Sequence, residues 1–235
     1  MTRLVISVGG SVLVPTLDTH KLTQWAEVLR LLSKNGHQIF VVVGGGGEAR
    51  RYIDVCRELG LDEASADEFG IQITRINAKL LVSALGDEYA YPLVPESYQK
   101  AKEAALSGKI VVMGGITPGQ TTDAVAACLA EEVNAYAMIN MTAIDGIYSS
   151  DPKKDKNAVK YDALSPQDLI SIIIKERMCA GSNMVIDLVA AKITERSNIP
   201  LIVIDGRDPK LLCRAIIDGE FYGTIVGTKR ISFPF

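Results

Sequence analysis

The sequence predicts an α/β protein, a single three-layer α/β/α domain with a mainly parallel central sheet. Short apolar runs alternate along the chain with segments of helical spacing, the pattern of repeated βαβ units. The length of 235 residues fits one large domain with a sizeable core. We therefore interpret residues 1–235 as one domain.

The first half of the chain gives a regular order of elements. It predicts strands at residues 3–8, 37–43, 89–94 and 109–115, and helices at 17–36, 70–85 and 97–108, with a further helix that follows the four glycines and runs through about Leu59. Asp18 or Thr19 is the expected N-cap of the first helix, and Gly36 follows its end. Gly108 is the expected stop signal of the fourth helix.

The second half continues the alternation. It predicts a helix at residues 121–134, a strand at 135–141, two helices within 165–197, a buried strand at 199–205, a helix at 208–218 and a terminal strand pair formed by "GTIVG" and "ISF". The polar segment 149–163 is interpreted as a loop over one face of the domain, with an interdomain linker as the alternative.

Composition excludes several classes of function. A hydrophobic content of 48% and a charged content of 23% are ordinary for a globular protein, and a net charge of −3 favours neither nucleic acid nor an anionic membrane. No apolar stretch approaches the length of a membrane span, and the N-terminus reads as a strand rather than a signal peptide. Isolated cysteines and two histidines make a zinc site unexpected and suggest reduced thiols in a cytoplasmic protein.

Three of the predicted strands end in glycine pairs: "SVGGS" (7–11), "VVVGGGG" (41–47) and "VVMGGIT" (111–117). The carboxyl ends of parallel strands share one edge of a sheet, where ligands bind. Glycine loops there offer backbone N–H groups with no Cβ in the way, which suits phosphate oxygens. The alternative is that the glycines only make tight turns, but three such loops favour phosphate binding.

Neither common nucleotide fingerprint explains these loops. Gly44, Gly46 and Ala49 match the Rossmann spacing, but the acidic segment 54–68 contains no strand that could end in the ribose-binding carboxylate. A Walker A sequence is absent from the chain. The glycine loops therefore predict a different kind of phosphate site.

Six segments resemble the amino acid kinase superfamily and, within it, the archaeal type of uridylate (UMP) kinase. They are "SVGGSVLVP", "VVVGGGGEARRY", "DEFGIQITRINAKLL", "MGGITPGQTTDAVAACLA", "TAIDGIYSSDPKKD" and "GSNMVIDLVAAKI". The resemblance implies one three-layer domain with a mainly UMP-binding half (1–134) and a mainly ATP-binding half (135–235). It implies transfer of a phosphoryl group from ATP to UMP in pyrimidine nucleotide biosynthesis, Mg²⁺ held mainly by nucleotide phosphates, and a homohexamer in the cytoplasm.

The resemblance also assigns residues to roles. The ATP-binding set is Val8, Gly9, Gly10, Ser11, Gly45, Arg50, Thr142, Ala143, Tyr148 and Asp151. The UMP-binding set is Gly44, Asp67, Ile116, Thr117, Pro118, Gly119, Gln120, Thr121 and Thr122. Asp123 is implied to organise the catalytic centre and Arg50 to hold phosphate oxygens during transfer.

Five of these residues also have a purely structural interpretation. Thr122 and Asp123 are at a helix start and could be its N-cap. Arg50 could be solvated, Asp67 belongs to an acidic run typical of a wet surface, and Tyr148 precedes turn-forming residues.

The sequence departs from the superfamily pattern at a few positions. Ser7 stands where many members have a lysine on the first strand, so the cation that would neutralise the transferred group is missing there. Other departures are Ile116, Gln120 and Ala143. Arg75 and Lys79 are interpreted as surface or interface residues.

Three competing functions remain open. Another small-molecule kinase of the superfamily would act on an isoprenoid phosphate, acetylglutamate or aspartate. A protein of the same fold could store oxyanions without catalysis. A Rossmann-type dehydrogenase is a more distant alternative.

Overall fold

The computed structural model of the protein describes residues 2–152, 154–177, 185–228 and 231. The strands in these ranges are β1 (Arg3–Val8), β2 (Gln38–Val43), β3 (Val111–Met113), β4 (Ala137–Thr142), β5 (Ile147–Tyr148), β6 (Lys160–Tyr161), β7 (Ala163–Leu164), β8 (Leu201–Asp205) and β9 (Thr224–Val226). The helices are α1 (Gly10–Leu13), α2 (Thr19–Lys34), α3 (Gly46–Glu58), α4 (Glu63–Leu85), α5 (Tyr98–Ala105), α6 (Thr122–Glu132), α7 (Pro166–Arg177), α8 (Leu188–Ser197) and α9 (Lys210–Cys213), which continues as a π-helical turn, Arg214–Asp218.

Seven strands form the central sheet in the order β3-β2-β1-β4-β8-β9-β7. The pairs from β3 through β8 are parallel, whereas β9 runs antiparallel to β8. The short strands β5 and β6 form a separate antiparallel pair. The sheet is therefore mainly parallel, as the alternation of strands and helices predicted.

Helices cover both faces of the sheet. Side chains of α2, α4 and α9 pack against one face, where Trp25 is fully buried. Side chains of α5, α6, α7 and α8 pack against the other. Because neither face meets water, the central strands are mainly apolar, which is why their sequences form nearly continuous hydrophobic runs. This arrangement confirms the predicted three-layer α/β/α fold.

Local signals set several helix boundaries. Asp18 caps α2 and accepts a hydrogen bond from the backbone N–H of His20, as expected. Gly36 and Gly108 have positive φ angles after their helices, which is the usual role of a glycine there. Helix α4 begins earlier than predicted because Asp62 caps it through the N–H of Ser65.

The predicted strand at residues 89–94 is wrong. Only Ala90 makes a single bridge, to Ile110, in place of a ladder. Pro92 lies in the middle of this segment and has no N–H with which to extend a strand.

The remaining segments differ from the predictions in detail. Residues 149–159 connect β5 and β6 as the loop of a hairpin. Of the predicted terminal pair, "GTIVG" contains β9, whereas residues 232–233 of "ISF" lie outside the described residues. Within the described ranges, no helix combines the length and the apolar character needed to span a membrane.

Candidate active site

The three glycine loops meet at one edge of the sheet, because β3, β2 and β1 are neighbours and run parallel. The first two loops are in backbone contact. A Cβ built on Gly10 would lie 2.1 Å from the nitrogen of Gly46 and 2.5 Å from the carbonyl oxygen of Gly44. Glycine is required here because any side chain would push the loops apart.

Some backbone N–H groups of these loops form hydrogen bonds within the protein. Gly9 donates its N–H to the carbonyl of Met141 (3.1 Å), and Gly44 donates to the carbonyl of Val8 (2.9 Å). The Val8 side chain is fully buried in the core. These N–H groups and the Val8 side chain hold the loops together, and the ATP-binding role of Val8 and Gly9 and the UMP-binding role of Gly44 stay predictions.

Other backbone donors remain at the same edge. Helices α1 and α3 begin at Gly10 and Gly46, and the first N–H groups of a helix have no partner within it. Ser11 and Gly47, each the second residue of its helix, are exposed. These groups are available to an anion.

The third loop is tied to α4. Gly115 donates its N–H to the hydroxyl of Thr74 (2.7 Å), and Arg75 Nε donates to the Gly115 carbonyl (3.2 Å). Arg75 also pairs with Glu96 at 3.4 Å, and its side chain is 18% exposed. A Cβ on Gly114 would collide with the Thr74 hydroxyl at 2.5 Å. Arg75 is therefore part of the loop framework and only partly exposed, and an interface role for it stays a prediction.

Helix α4 also supports the second loop. The Asn77 amide donates to the carbonyl of Gly44 (3.0 Å) and to that of Gly45 (3.3 Å). Asn77 is only 5% exposed. One helix thus contacts two of the three glycine loops through side chains.

The segment 116–122 lies over this edge and is held by Asp67. The Asp67 Oδ2 atom accepts the N–H of Gly119 at 2.7 Å. Gly119 has a φ of 77°, a conformation that favours glycine at this turn. The structure therefore brings Asp67 and the segment 116–122 together, although they are far apart in the sequence.

Thr121 ends this segment and caps α6. Its hydroxyl accepts the N–H of Ala124 (3.0 Å) and donates to Asp187 Oδ2 (2.5 Å). Asp187 in turn caps α8 through the N–H groups of Val189 and Ala190. Since Thr121 is the N-cap, capping does not explain Asp123.

Asp123 lies at the start of α6 above two polar residues of the sheet. Ser7 and Asn140 are opposite each other in the β1–β4 register and are 1% and 2% exposed. The Ser7 hydroxyl donates to Asp123 Oδ1 at 2.7 Å, and the Asn140 amide donates to the carbonyl of Val185 at 2.9 Å. These contacts fix the carboxylate over the edge of the sheet.

The surroundings of Asp123 favour its neutral form. Burial of the carboxyl group raises the pKa of Asp123 to about 6, with a further contribution from the charge of Asp187. Hydrogen bonds from Ser7 and Asn140 oppose the shift. The residue as a whole keeps partial exposure.

The residues of the implied adenosine pocket lie next to this centre. Thr142 ends β4, where its carbonyl accepts the N–H of Gly206 (2.7 Å), and Ala143 is exposed. A narrow, mainly apolar crevice nearby is lined by Ile144, Tyr148, Asp151, Leu169, Ile172 and Val185, among others. The structure thus brings Tyr148 and Asp151 to one crevice.

An acidic residue supports Tyr148. Asp145 accepts a hydrogen bond from the Tyr148 hydroxyl (2.9 Å) and pairs with Lys160 (3.2 Å). Burial raises the pKa of Tyr148, and its bond to Asp145 adds to this effect. Gly146 packs against the Lys160 side chain, and a Cβ at this position would clash with it.

Arg50 is exposed on the first turns of α3. Its Nε lies 3.4 Å from the carbonyl of Gly46, a long contact, and no acidic side chain among the described residues forms an ion pair with its guanidinium. Arg51, by contrast, pairs with Glu48 at 2.8 Å. Arg50 therefore has donors available beside the second glycine loop.

A second cavity lies far from these residues. It has a volume of about 860 Å³ and is lined by residues at the opposite edge of the sheet, including Thr2, Arg3, Gln38 and Tyr136. None of the residues assigned to ATP or UMP lines it. The buried polar groups and the glycine loops favour the other edge as the active site.

Several supporting residues were missed in the sequence, namely Thr74, Asn77, Asn140, Asp145 and Asp187. Three of them share a signal: Thr74, Asn77 and Asn140 are polar residues within otherwise apolar faces of a helix or strand. A buried polar side chain needs a hydrogen-bonding partner, so its presence points to a tertiary contact.

Comparison with known proteins agrees with this geometry. Residues 2–205 match the model of the amino acid kinase family. The chain is 73% identical to a uridylate kinase of Methanocorpusculum labreanum over 234 residues (100% of this chain, 99% of that protein), and 58% identical to one of Methanoculleus marisnigri over 226 residues (96% of each). The crystal structure of uridylate kinase from Archaeoglobus fulgidus superposes with a TM-score of 0.85 at 46% identity, covering 97% of this chain and all of that one. The chain belongs to the amino acid kinase family, in the group that includes the archaeal uridylate kinases.

Proposed function

We propose that the protein is a UMP kinase, a phosphotransferase that converts UMP and ATP into UDP and ADP. One observation carries the proposal: the segment 116–122, the first two glycine loops and Asp123 converge at one edge of the sheet. Phosphoryl transfer needs two nucleotides in line and neutralisation of charge on the moving group. Two adjacent nucleotide sites beside the fixed carboxylate of Asp123 would meet both requirements.

In this proposal, UMP occupies the half built from residues 1–134. Asp67 accepts hydrogen bonds from the ribose hydroxyls, with Oδ2 held by Gly119 and Oδ1 available to the sugar. The segment 116–122 surrounds the uracil and the phosphate. Gly44 permits close approach of the phosphate at its Cα, since its N–H and carbonyl are already bonded.

ATP occupies the half built from residues 135–235. The crevice beside Tyr148 and Asp151 would receive the adenine, with Thr142 and Ala143 next to the ribose. The N–H groups at the starts of α1 and α3 would face the phosphates, and Arg50 would bind the transferred group with its forked donors.

Mg²⁺ belongs to this proposal as an ion carried by the nucleotide phosphates. It usually keeps several waters and is bound through substrate phosphates rather than by a protein cage. The donors present fit that mode, since the carboxylates of Asp123 and Asp187 are hard oxygen acceptors for coordinated water. The ion would neutralise charge on the phosphates.

The proposal places the enzyme in pyrimidine nucleotide biosynthesis in the cytoplasm, as a homo-oligomer and specifically a hexamer. Apolar side chains of α3 and α4 that remain exposed, including Tyr52, Val55, Leu59 and Ile76, are suitable for subunit contacts. Light scattering in solution tests the hexamer independently of the reaction.

A panel of UMP, CMP, AMP, GMP and dUMP with ATP and Mg²⁺ tests the activity. We expect ADP release to depend on UMP and to be much weaker with the other acceptors. ADP release that is independent of any nucleoside monophosphate, or purification with a bound oxyanion cluster, would instead indicate the storage function.

A further inference from the structure

The structure assigns to Asn77 a positioning role: its buried amide fixes the peptide groups of the second glycine loop so that their N–H groups face bound phosphate. This inference rests on the proposed function. It concerns a side chain that lies behind the loop and does not itself touch the substrate.

The conformation of the loop is that of an anion-binding nest. Gly45 has φ −82° and ψ −24°, in the right-handed helical region, and Gly46 follows with a φ of 67°. Successive residues of right-handed and left-handed conformation turn their N–H groups toward one concave side, which binds anions. The N–H groups concerned are those of Gly45, Gly46 and Gly47.

Asn77 contacts the other side of the same peptides. Its amide nitrogen donates to the carbonyls of Gly44 and Gly45, at 3.0 and 3.3 Å. In a trans peptide the N–H points opposite to the carbonyl. Holding these two carbonyls therefore directs the N–H groups of Gly45 and Gly46 away from Asn77, to the side open to an anion.

Among the described residues, Asn77 is the residue whose side chain forms hydrogen bonds with these two carbonyls. Gly44 and Gly45 lack side chains, and the first loop contacts them through backbone atoms, including the hydrogen bond from the Gly44 N–H to the Val8 carbonyl. The nest also contains glycine, whose peptides turn with little steric resistance. A buried amide on a long helix supplies the missing restraint, because α4 packs against α2, α3 and the sheet.

Restraint of these peptide groups should affect binding of the phosphate group more than binding of the rest of the nucleotide. Preorganised backbone dipoles stabilise charge in the transition state without reorganisation. Without Asn77, the Gly44 carbonyl would lose its side-chain donor, and the Gly45 carbonyl would keep the long bond from the N–H of Ala49 (3.4 Å). The two peptide groups would then be less restrained. Uridine, which has no phosphate, would bind as before through the segment 116–122.

The test compares Asn77→Leu, similar in shape but without donors, with Asn77→Ser, which is too short to reach both carbonyls and is better tolerated in folding. Asn35→Leu is the matched control. It removes an amide that donates to the carbonyl of Leu31 (2.9 Å) at the end of α2, opposite the glycine loops. Melting curves show which proteins are folded at the assay temperature.

Titration calorimetry then gives the dissociation constants of UMP and of uridine, and kinetics gives kcat and KM. We expect both Asn77 variants to lower kcat and UMP affinity by about tenfold or more, while uridine affinity changes by less than about twofold. Asn35→Leu should change none of these values. A folded Asn77 variant with normal kcat, or with equal losses for UMP and uridine, would overturn the positioning role. A wild-type protein that makes no UDP would instead overturn the proposed function itself, and the two failures are therefore distinguishable.

Discussion

The hydroxyl of Ser7 donates a 2.7 Å hydrogen bond to the carboxylate of Asp123, joining the first strand to the start of α6. Ser7 occupies the position where many members of the superfamily have a lysine. A neutral donor replaces a cation there, so Asp123 lacks a positive partner at this contact and its pKa is raised to about 6 by burial. Because of this contact, the pH dependence of kcat can report the ionisation of Asp123.

Loss of the Ser7 hydroxyl should move that pH dependence. The bond from Ser7 lowers the pKa of Asp123, so Ser7→Ala should raise it further. If the ionised carboxylate organises the centre, kcat rises through an apparent pKa near 6 in the wild type and through a higher one in the variant. The exposed Ser83→Ala on α4 is the control. Identical profiles for Ser7→Ala and wild type would contradict the assignment.

Asp123→Asn should separate catalysis from stability. If Asp123 organises the catalytic centre, the substitution removes a charge that the transfer needs, and kcat should fall by about a hundredfold or more, with a small change in KM for UMP. The stability of the folded Asp123→Asn variant, in contrast, should not fall at neutral pH. A raised pKa means that Asp123 stabilises the folded state fully below its unfolded value of 3.8, and this contribution disappears as the pH rises through about 6.

At pH 7.5 we therefore expect Asp123→Asn to melt at the same temperature as the wild type or higher, with a smaller advantage at pH 5. Melting curves at the two pH values, beside kcat, provide the measurement. A folded variant with normal kcat would rule out the organising role, and because Thr121 is the cap, no capping role would remain for Asp123.

Asp67 should determine the preference for ribose. Loss of a hydrogen bond to a charged acceptor costs on the order of 1.5–3 kcal/mol, so dUMP should be a poorer acceptor than UMP. Asp67→Ala also releases the N–H of Gly119 and should raise KM for both nucleotides. The decisive value is the ratio of kcat/KM for UMP over dUMP, which should approach one in the variant; an unchanged ratio would assign Asp67 to the loop alone.

Arg50 and Arg51 are neighbours on α3 and provide a paired test. Arg50→Lys should lower kcat, because one ammonium group cannot reproduce the forked contact with phosphate oxygens. Arg51, whose side chain is 78% exposed and paired with Glu48, should tolerate the same change. Full activity of Arg50→Lys would reduce Arg50 to a point charge or a bystander.

The contact between the first two glycine loops should be intolerant of a methyl group. Gly10→Ala would place a Cβ 2.1 Å from the nitrogen of Gly46, so the loops must separate, and we expect a large loss of both stability and activity. A Cβ on Gly47 would meet no atom within 4 Å, so the melting temperature of Gly47→Ala should stay close to that of the wild type. Equal melting temperatures for the two variants would show that the loops can separate freely.

Much of this fold could be predicted from the sequence because buried parallel strands are mainly apolar. The segments at residues 3–8 and 37–43 gave clear strands for that reason. The start of α4 was missed because its first turns are polar and exposed, so they have no apolar periodicity. The strand at 89–94 was wrong because its apolar residues outweighed the missing N–H of Pro92.

The site was less predictable because its support comes from contacts across long sequence separations. Thr121 and Asp187 are 66 positions apart, and Ser7 and Asp123 are 116 apart. A buried polar residue such as Asn77 signals that a partner exists, but only the folded chain brings Gly44 and Gly45 to its amide. The family resemblance identified the loops that form the site, but it did not identify the side chains that support these loops from behind.

Helix α4 carries Asp67, Thr74 and Asn77, which reach segment 116–122, the third glycine loop and the second glycine loop. Their separations of seven and three positions place them on one face of the helix. One inserted residue would rotate everything beyond it by about 100°, and the whole span is only about 15 Å long. Over evolutionary time this stretch should therefore exchange residues but not change length.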